Sequence, residues 1–165
     1  MKNWILILLF CWAPLAIAQP KLKDFTAYYL FNVGYTYHNI NYLEGGLNTY
    51  LVQRNNNILD LGATVNLAYT DDHLVAIPEA QVGYLFNKEN TVIDPYSRNF
   101  KSAFWVARTS ISPWHITPEV GITVISLIDI TAGYGFEFRE HDYVDLDGFK
   151  AGVSLRLPFL LFWHD

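Results

Sequence analysis

The feature that most constrains this chain is a regular alternation of large apolar residues with small or polar ones. The alternation is clearest in residues 58–70, where two complete series interleave. The apolar series is Leu59, Leu61, Ala63, Val65, Leu67 and Tyr69, and the other is Asp60, Gly62, Thr64, Asn66, Ala68 and Thr70. A period of two is typical of a β-strand with two chemically different faces. No segment shows a convincing helical period, so the sequence predicts an all-β fold.

Eight segments of the chain follow this pattern. They are residues 25–38, 42–54, 58–70, 75–87, 102–112, 117–126, 128–139 and 148–159. Each has the length of about ten residues that a tilted strand needs to cross a membrane. Residues 88–101 are the least regular stretch, and they form either a long turn or a short additional strand. The sequence therefore predicts an up-and-down barrel of antiparallel strands, with eight as the expected number.

The sizes of the residues on the two faces predict which face points outward. Aromatic residues make up 16% of the chain, and they share one face with leucine and valine. The interior of an eight-stranded barrel is narrow, so this large apolar set fits better outside, against lipid. Charged residues are also only 16% of the chain, against about 25% in a typical soluble domain. We therefore expect a transmembrane barrel; a soluble lipocalin-like barrel or a periplasmic sandwich is the alternative.

The N-terminus has the pattern of a secretion signal. Lys2 precedes an apolar run over residues 4–17, and small residues lead up to Ala18. This order of a basic start, a short apolar stretch and a small-residue site predicts cleavage after Ala18. We therefore expect a signal peptide over residues 1–18 and a single barrel domain over residues 19–165.

Cys11 is the only cysteine of the chain and lies within the apolar run. It offers a lipoprotein signal as an alternative, although the bulky Phe10 and Trp12 on either side fit a lipidation site poorly. If the signal peptide is removed, the mature protein has no disulfide bond. The net charge of −5 and the absence of a basic cluster argue against a nucleic-acid partner.

Two short patterns resemble known outer-membrane proteins. Residues 150–157 read Lys-x-Gly-x-x-Leu-x-Leu, which resembles the C-terminal signal read by the outer-membrane assembly machinery. Residues 117–122 (TPEVGI) and 132–136 (AGYGF) resemble a pattern in uncharacterised small outer-membrane barrels, and the mature chain as a whole is similar to small OmpA/OmpX-type barrels. The resemblance implies a barrel integral to the bacterial outer membrane, with lipid and the assembly machinery as partners. It implies no particular activity. The sequence leaves the oligomeric state open, and a monomer is expected.

If lipid lies outside, the polar face carries a set of charges into the lumen. The predicted lumen network is Glu44, Asp60, Glu79, Arg108, Glu119, Asp129, Glu137, Arg139, Lys150 and Arg156. An isolated buried charge costs several kcal/mol, so we expect these groups to be paired and hydrogen-bonded into a plug. The alternative is a proton or ion path, which is disfavoured because eight strands leave no open channel.

Two of these acids recur in a common setting. Glu79 follows Pro78 and Glu119 follows Pro118, each near the start of a predicted strand. Both carboxylates should therefore lie at a similar height near the outer mouth. The favoured interpretation is that each accepts hydrogen bonds from an arginine across the lumen, and the alternative is paired acid/base chemistry.

The histidines suggest a second kind of site. His38, His73, His115 and His141 fall one in each of the four turns at the end of the barrel opposite the chain termini. Imidazole together with nearby aspartates and glutamates suits zinc or another divalent cation, so these four are candidate metal ligands. An acidic, solvated loop surface is the simpler interpretation, and no cofactor is expected.

An enzymatic alternative also exists, because Ser110 and Ser112 precede His115 closely. A lipid hydrolase or acyltransferase would need such a serine, a histidine and an orienting acid. No motif of a known lipid-modifying barrel is present, so catalytic residues are not assigned. The favoured function is a non-enzymatic outer-membrane barrel with a structural or surface-interaction role; a membrane-embedded enzyme or a metal-binding rim is the alternative.

Overall fold

The computed structural model describes residues 25–53, 57–70, 72–87, 104–124 and 127–159, which form a closed antiparallel barrel. Within these residues the strands are β1 (Thr26–His38), β2 (Ile40–Val52), β3 (Ile58–Thr70), β4 (His73–Asn87), β5 (Phe104–Ile111), β6 (His115–Val124), β7 (Ile128–Glu137) and β8 (Gly148–Pro158). Among the described residues, no helix is long and apolar enough to span a lipid bilayer.

Each strand pairs with its neighbours in sequence, and β8 closes the barrel against β1. In that last pairing Phe31 lies opposite Leu157 and His38 lies opposite Lys150. Closure leaves no edge strand, so each described strand has a hydrogen-bonded neighbour on both sides. The prediction of an all-β, antiparallel barrel is confirmed, and so is the number of eight strands in the described part of the chain.

Three strands begin two residues earlier than the alternation predicted. These are β2 at Ile40, β4 at His73 and β6 at His115. The first two follow from tight turns, because Asn39 and Asp72 have φ angles of 60° and 61°. Asparagine and aspartate adopt this left-handed conformation more readily than most residues, so one or two of them suffice to reverse the chain.

Two further predictions concern residues outside the described ranges. The signal peptide over residues 1–18 is one of them, and the choice between a turn and a strand for residues 88–101 is the other. Neither is tested by the fold. The two ends of the barrel can still be distinguished: we call the end with Thr26 and Pro158 the terminal end and the opposite one the far end.

The two faces of the wall are oriented as the residue sizes predicted. Large apolar side chains point outward and are strongly exposed, as in Leu43 (59%) and Val120 (68%). Charged and polar side chains alternate with them and point into the lumen, where Asp60 and Arg156 are fully buried. The inward face, polar in its middle and apolar toward both ends, is therefore the core of this protein, and the apolar outward face is its surface.

Small residues on the inner face allow the wall to curve around a narrow lumen. A Cβ atom added to Gly46 would collide with the carbonyl oxygen of Ala63 and with Thr64 on the neighbouring strand. Its neighbour Gly45 points the other way, and a Cβ atom there would meet nothing within 4 Å. Of these two glycines, Gly46 is therefore required by the close approach of the neighbouring backbone, and Gly45 is not.

This pair of glycines gives a matched test of the fold. We expect Gly46→Ala to destabilise the barrel by about 1–3 kcal/mol, because the added methyl group overpacks the wall. Gly45→Ala should leave stability unchanged or raise it slightly, since alanine restricts the unfolded chain. Equilibrium urea unfolding of both purified variants measures the difference. Equal effects would contradict the packing described for β2 and β3.

Candidate functional site

The lumen is built in three layers along the barrel axis. An apolar cluster fills the terminal end, and it consists of Leu30, Tyr50, Ile58, Leu85, Phe104 and Val106. A second apolar cluster fills the far end, and it consists of Tyr42, Ala68, Val75, Ile77, Val144 and Leu146. Charged and hydrogen-bonding side chains occupy the space between them. The charges are therefore shielded from water at both ends.

Two arginines and two aspartates form the part of this middle layer nearer the terminal end, which we call the arginine network. Arg156 Nη1 donates to Asp60 Oδ2 at 2.8 Å, and Arg156 Nε lies 2.7 Å from Asp129 Oδ2. Arg108 Nη2 donates to the same oxygen of Asp129 and lies 3.6 Å from Asp60 Oδ2. Two positive and two negative charges thus share one compact cluster, as buried charges require.

Neutral side chains donate hydrogen bonds to the remaining carboxylate oxygens of the arginine network. Asp60 Oδ1 accepts a hydrogen bond of 2.8 Å from Asn48, and Asp129 Oδ1 accepts one of 2.7 Å from Thr123. The guanidinium of Arg156 also lies over the ring of Tyr50, 5.2 Å from its centroid. This position allows a cation–π contact at the boundary with the apolar cluster.

A lysine organises the part of the layer nearer the far end, which we call the lysine network. Lys150 Nζ donates to both oxygens of Glu79, at 3.2 and 3.1 Å, and lies 3.1 Å from Glu119 Oε1. Ser110 donates to the same Glu119 oxygen at 3.0 Å. The two glutamates are brought together as expected, but their common cation is Lys150 and not an arginine. Arg108 lies directly opposite Glu119 in the strand register, yet its guanidinium reaches toward Asp129 instead.

Glu44 is held differently from the other buried acids. Its carboxylate accepts hydrogen bonds from the side chains of Asn32 at 2.5 Å, Thr36 at 3.2 Å and Gln81 at 3.4 Å. All three donors are neutral. Among the described residues no cation forms a salt bridge with Glu44, so hydrogen bonds hold this carboxylate.

A serine, a histidine and a glutamate are connected in the manner of a hydrolytic triad. Ser112 Oγ lies 2.6 Å from His115 Nδ1, and His115 Nε2 lies 3.2 Å from Glu79 Oε1. However, Ser112 Oγ also accepts hydrogen bonds from the backbone N–H groups of Trp114 and His115. Two backbone donors thereby contact the hydroxyl oxygen, and both His115 Nδ1 and the carbonyl oxygen of His115 lie within hydrogen-bonding distance of it. The arrangement closes the β5–β6 turn and orients His115 toward Glu79.

The loop between β7 and β8, residues 138–147, folds over the far end as a lid. Val144 and Leu146 insert into the far apolar cluster. Glu137 accepts hydrogen bonds from the backbone N–H groups of His141 and Leu146, at 3.1 and 2.9 Å. Asn39 donates from the β1–β2 turn to the carbonyl oxygens of residues 145 and 147. The mouth is therefore closed by the chain itself.

Two members of the predicted lumen network belong to this lid region. Glu137 is only half-buried and binds the lid backbone, so it does not join the lysine network. The placement of Arg139 in the lumen is wrong, because β7 ends at Glu137 and the Arg139 side chain is exposed. The alternation that the sequence continues through residue 139 no longer fixes side-chain direction once the strand has ended.

A small cavity remains between the lysine network and the lid. Its volume is about 10 Å³, and its walls include Tyr42, Asn66, Glu79 and Lys150. This is about the space of a single water molecule. The described part of the lumen is accordingly filled by side chains at this level.

The four candidate metal ligands separate into two buried and two outer histidines. His38 and His115 point into the lumen, with ring centroids 5.5 Å apart. His73 and His141 lie outside, where each contacts the ring of Tyr143. Within the ranges that the structure describes, no group of three or more histidine, cysteine, aspartate or glutamate side chains has the geometry of a metal site. The structure does not bring the four together.

Comparison with known proteins gives no family for this chain. A scan against protein-family models finds no match, and searches among curated proteins and solved structures find none either. The function is therefore inferred from the residues and their geometry.

Sequence reasoning named the charges of the lumen but missed their neutral partners. Asn32, Asn48, Thr123 and Gln81 all donate to buried carboxylates. A usable signal was present, since each lies at an inward position of its strand, in phase with the charged residues. The link from His115 to Glu79 was also missed, because it crosses from β6 to β4 and no local spacing reveals it.

The arginine network gives a prediction about stability. Arg156→Met should lower the free energy of unfolding by about 3–5 kcal/mol, because Asp60 and Asp129 would then share one cation in a closed lumen. The double variant with Asp60→Asn should recover part of this stability, since the two charges that remain, on Arg108 and Asp129, neutralise each other. A double-mutant cycle by urea unfolding measures the coupling. Additive losses would contradict a shared network.

The lid gives a second, local prediction. Glu137→Ala should accelerate amide hydrogen exchange in residues 138–147 by about tenfold or more, because two hydrogen bonds to a charged acceptor are lost. Exchange in the strands should not change. Glu140→Ala is the matched control, as this side chain is exposed in the same loop. Unchanged loop exchange in Glu137→Ala would show that its carboxylate does not hold the lid.

Proposed function

We propose that this protein is an integral β-barrel of the bacterial outer membrane with a closed lumen and a structural or surface-interaction role. The observation that carries the proposal is the separation of charge across the wall. Every Asp, Glu, Lys and Arg residue of the described strands lies at an inward position, and no outward position of these strands is charged. The inward residues are Glu44, Asp60, Glu79, Arg108, Glu119, Asp129, Glu137, Lys150 and Arg156.

This separation is the reverse of what water as a solvent favours. A barrel in water gains stability by turning apolar side chains inward and leaving charges at the surface. Here leucine, valine and isoleucine residues are exposed around the wall, including Leu47 (52%) and Val153 (49%). Monomeric soluble proteins rarely expose so extensive an apolar surface, whereas hydrocarbon solvates it without cost.

Aromatic side chains near both ends of the strands also indicate that lipid surrounds the outer wall. Phe86 and Trp105 lie opposite each other near the terminal end, and both are exposed. Tyr134 and Phe149 form an equivalent pair near the far end. Aromatic girdles at both interfaces, with an aliphatic band between them, are typical of outer-membrane barrels.

The closed lumen and the lid favour a role that does not depend on conduction. Under this proposal the terminal end faces the periplasm, and the lid faces the outside. The lid then presents the acidic residues Glu140, Asp142, Asp145 and Asp147 to the medium. The resemblance of the C-terminal strand to an assembly signal agrees with insertion by the barrel assembly machinery.

An arginine placed on the outer wall tests the proposal directly. In lipid, Val120→Arg should cost about 2–4 kcal/mol, because it places a charge near the middle of the hydrocarbon. In water, the same change at an exposed position should be close to neutral. The measurement is the free energy of unfolding of protein refolded into phosphatidylcholine vesicles.

Glu140→Arg is the control, since Glu140 is exposed in the lid and would lie outside the hydrocarbon. It should leave both insertion and stability unchanged. A mature protein that is soluble and monomeric without detergent, with Val120→Arg tolerated, would overturn the membrane location.

A further inference from the structure

Within the described strands, the outer wall has a shallow, open depression, which crosses β2, β3, β4 and β5. Ala63 and Ala80 lie opposite each other at its floor, and Leu47 and Ile111 stand beside them in the same row. The volume of the depression is about 510 Å³. We call it the wall groove. It exists because small outward residues interrupt a surface of larger ones.

Gly45 enlarges this groove at its side nearer the far end. Of the ten glycines in the chain, it is the one at which an added Cβ atom would meet nothing within 4 Å. Neither a left-handed backbone nor a close neighbour therefore requires glycine here. Glycine in the middle of a strand weakens the strand, so its presence here needs another explanation. The explanation we infer is the open space that a missing side chain leaves on the outer wall.

We propose that the wall groove binds one acyl chain of a membrane lipid. The inference rests on the proposed membrane location, because only then does this face meet lipid. Outward residues such as Gly45, Leu47, Ala80 and Ile111 give the groove a mostly apolar lining, and the buried residues Thr64 and Ser112 border it. Glu79 also borders it, but its carboxylate points into the lumen and is held there by Lys150. A chain without charge or hydrogen-bonding groups matches this lining.

The size of the groove favours a single lipid chain over a second copy of the protein. Its volume lies within the range of about 300–1,000 Å³ that is typical of sites for one small ligand. A stable protein interface needs about 20–30 residues on each side. Twelve residues line the wall groove. The groove also lies beside Ile111, the last residue of β5 at the far end, and hence in the outer leaflet under the proposal.

Filling the groove tests this inference. We would prepare the wild-type protein, Gly45→Leu and Ala80→Leu in detergent with added palmitoyl-oleoyl phosphatidylglycerol, and count retained lipid by native mass spectrometry. The wild type should retain one lipid per barrel. Each leucine should reduce that population about tenfold, because the added side chain takes the place of several buried methylenes of the lipid.

Ala132→Leu is the matched control, as it adds the same group at an exposed outward position of β7. It should retain lipid like the wild type. Equal retention in all four proteins, or none in the wild type, would overturn the groove as a lipid site while leaving the membrane location intact. A wild-type dimer that Gly45→Leu dissociates would assign the groove to a second copy instead. Failure of every variant to insert into vesicles would count against the membrane location.

Discussion

Burial of charge inside a narrow closed wall is the constraint on which the rest of this structure depends. Once β8 pairs with β1, the lumen has room for side chains and little else, so each inward group must find its partner there. Removing a carboxylate from water costs several kcal/mol unless cations and donors surround it. The apolar clusters at both ends and the lid follow from the same need, because they keep water from weakening the pairs that have formed.

Much of the fold could be predicted because one physical rule acts along the whole chain. Alternation within a strand fixes which residues share a face, and the sizes of Leu61 and Val65 against Gly62 and Thr64 fix which face points outward. The rule stops at the strand ends. Arg139 was assigned to the lumen by continuing the alternation past Glu137, where the backbone leaves the sheet and turns into the lid.

The partners within the lumen could not be predicted in the same way. Inward direction is a local property, whereas pairing depends on the register around the whole barrel. Arg108 and Glu119 are direct neighbours across two strands, and a local rule would join them. Instead Arg108 turns toward Asp129, and Lys150 from β8 reaches Glu119. Which of these pairs forms depends on the lengths of the side chains and on the positions of all the other charges in the lumen.

The two networks satisfy their acids by different means, and the difference follows the axis of the barrel. The arginine network balances Asp60 and Asp129 with two guanidinium groups. The lysine network has one ammonium for Glu79 and Glu119, and neighbouring Glu44 is held by neutral donors. Hydrogen bonds from Asn32 and Ser110 must therefore replace positive charge in the half beneath the lid. That half depends on exclusion of water more than the other does, because its donors compete with water for the same carboxylates. A lid held by Glu137 and Asn39 is thus part of the same electrostatic arrangement and not an appendage to it.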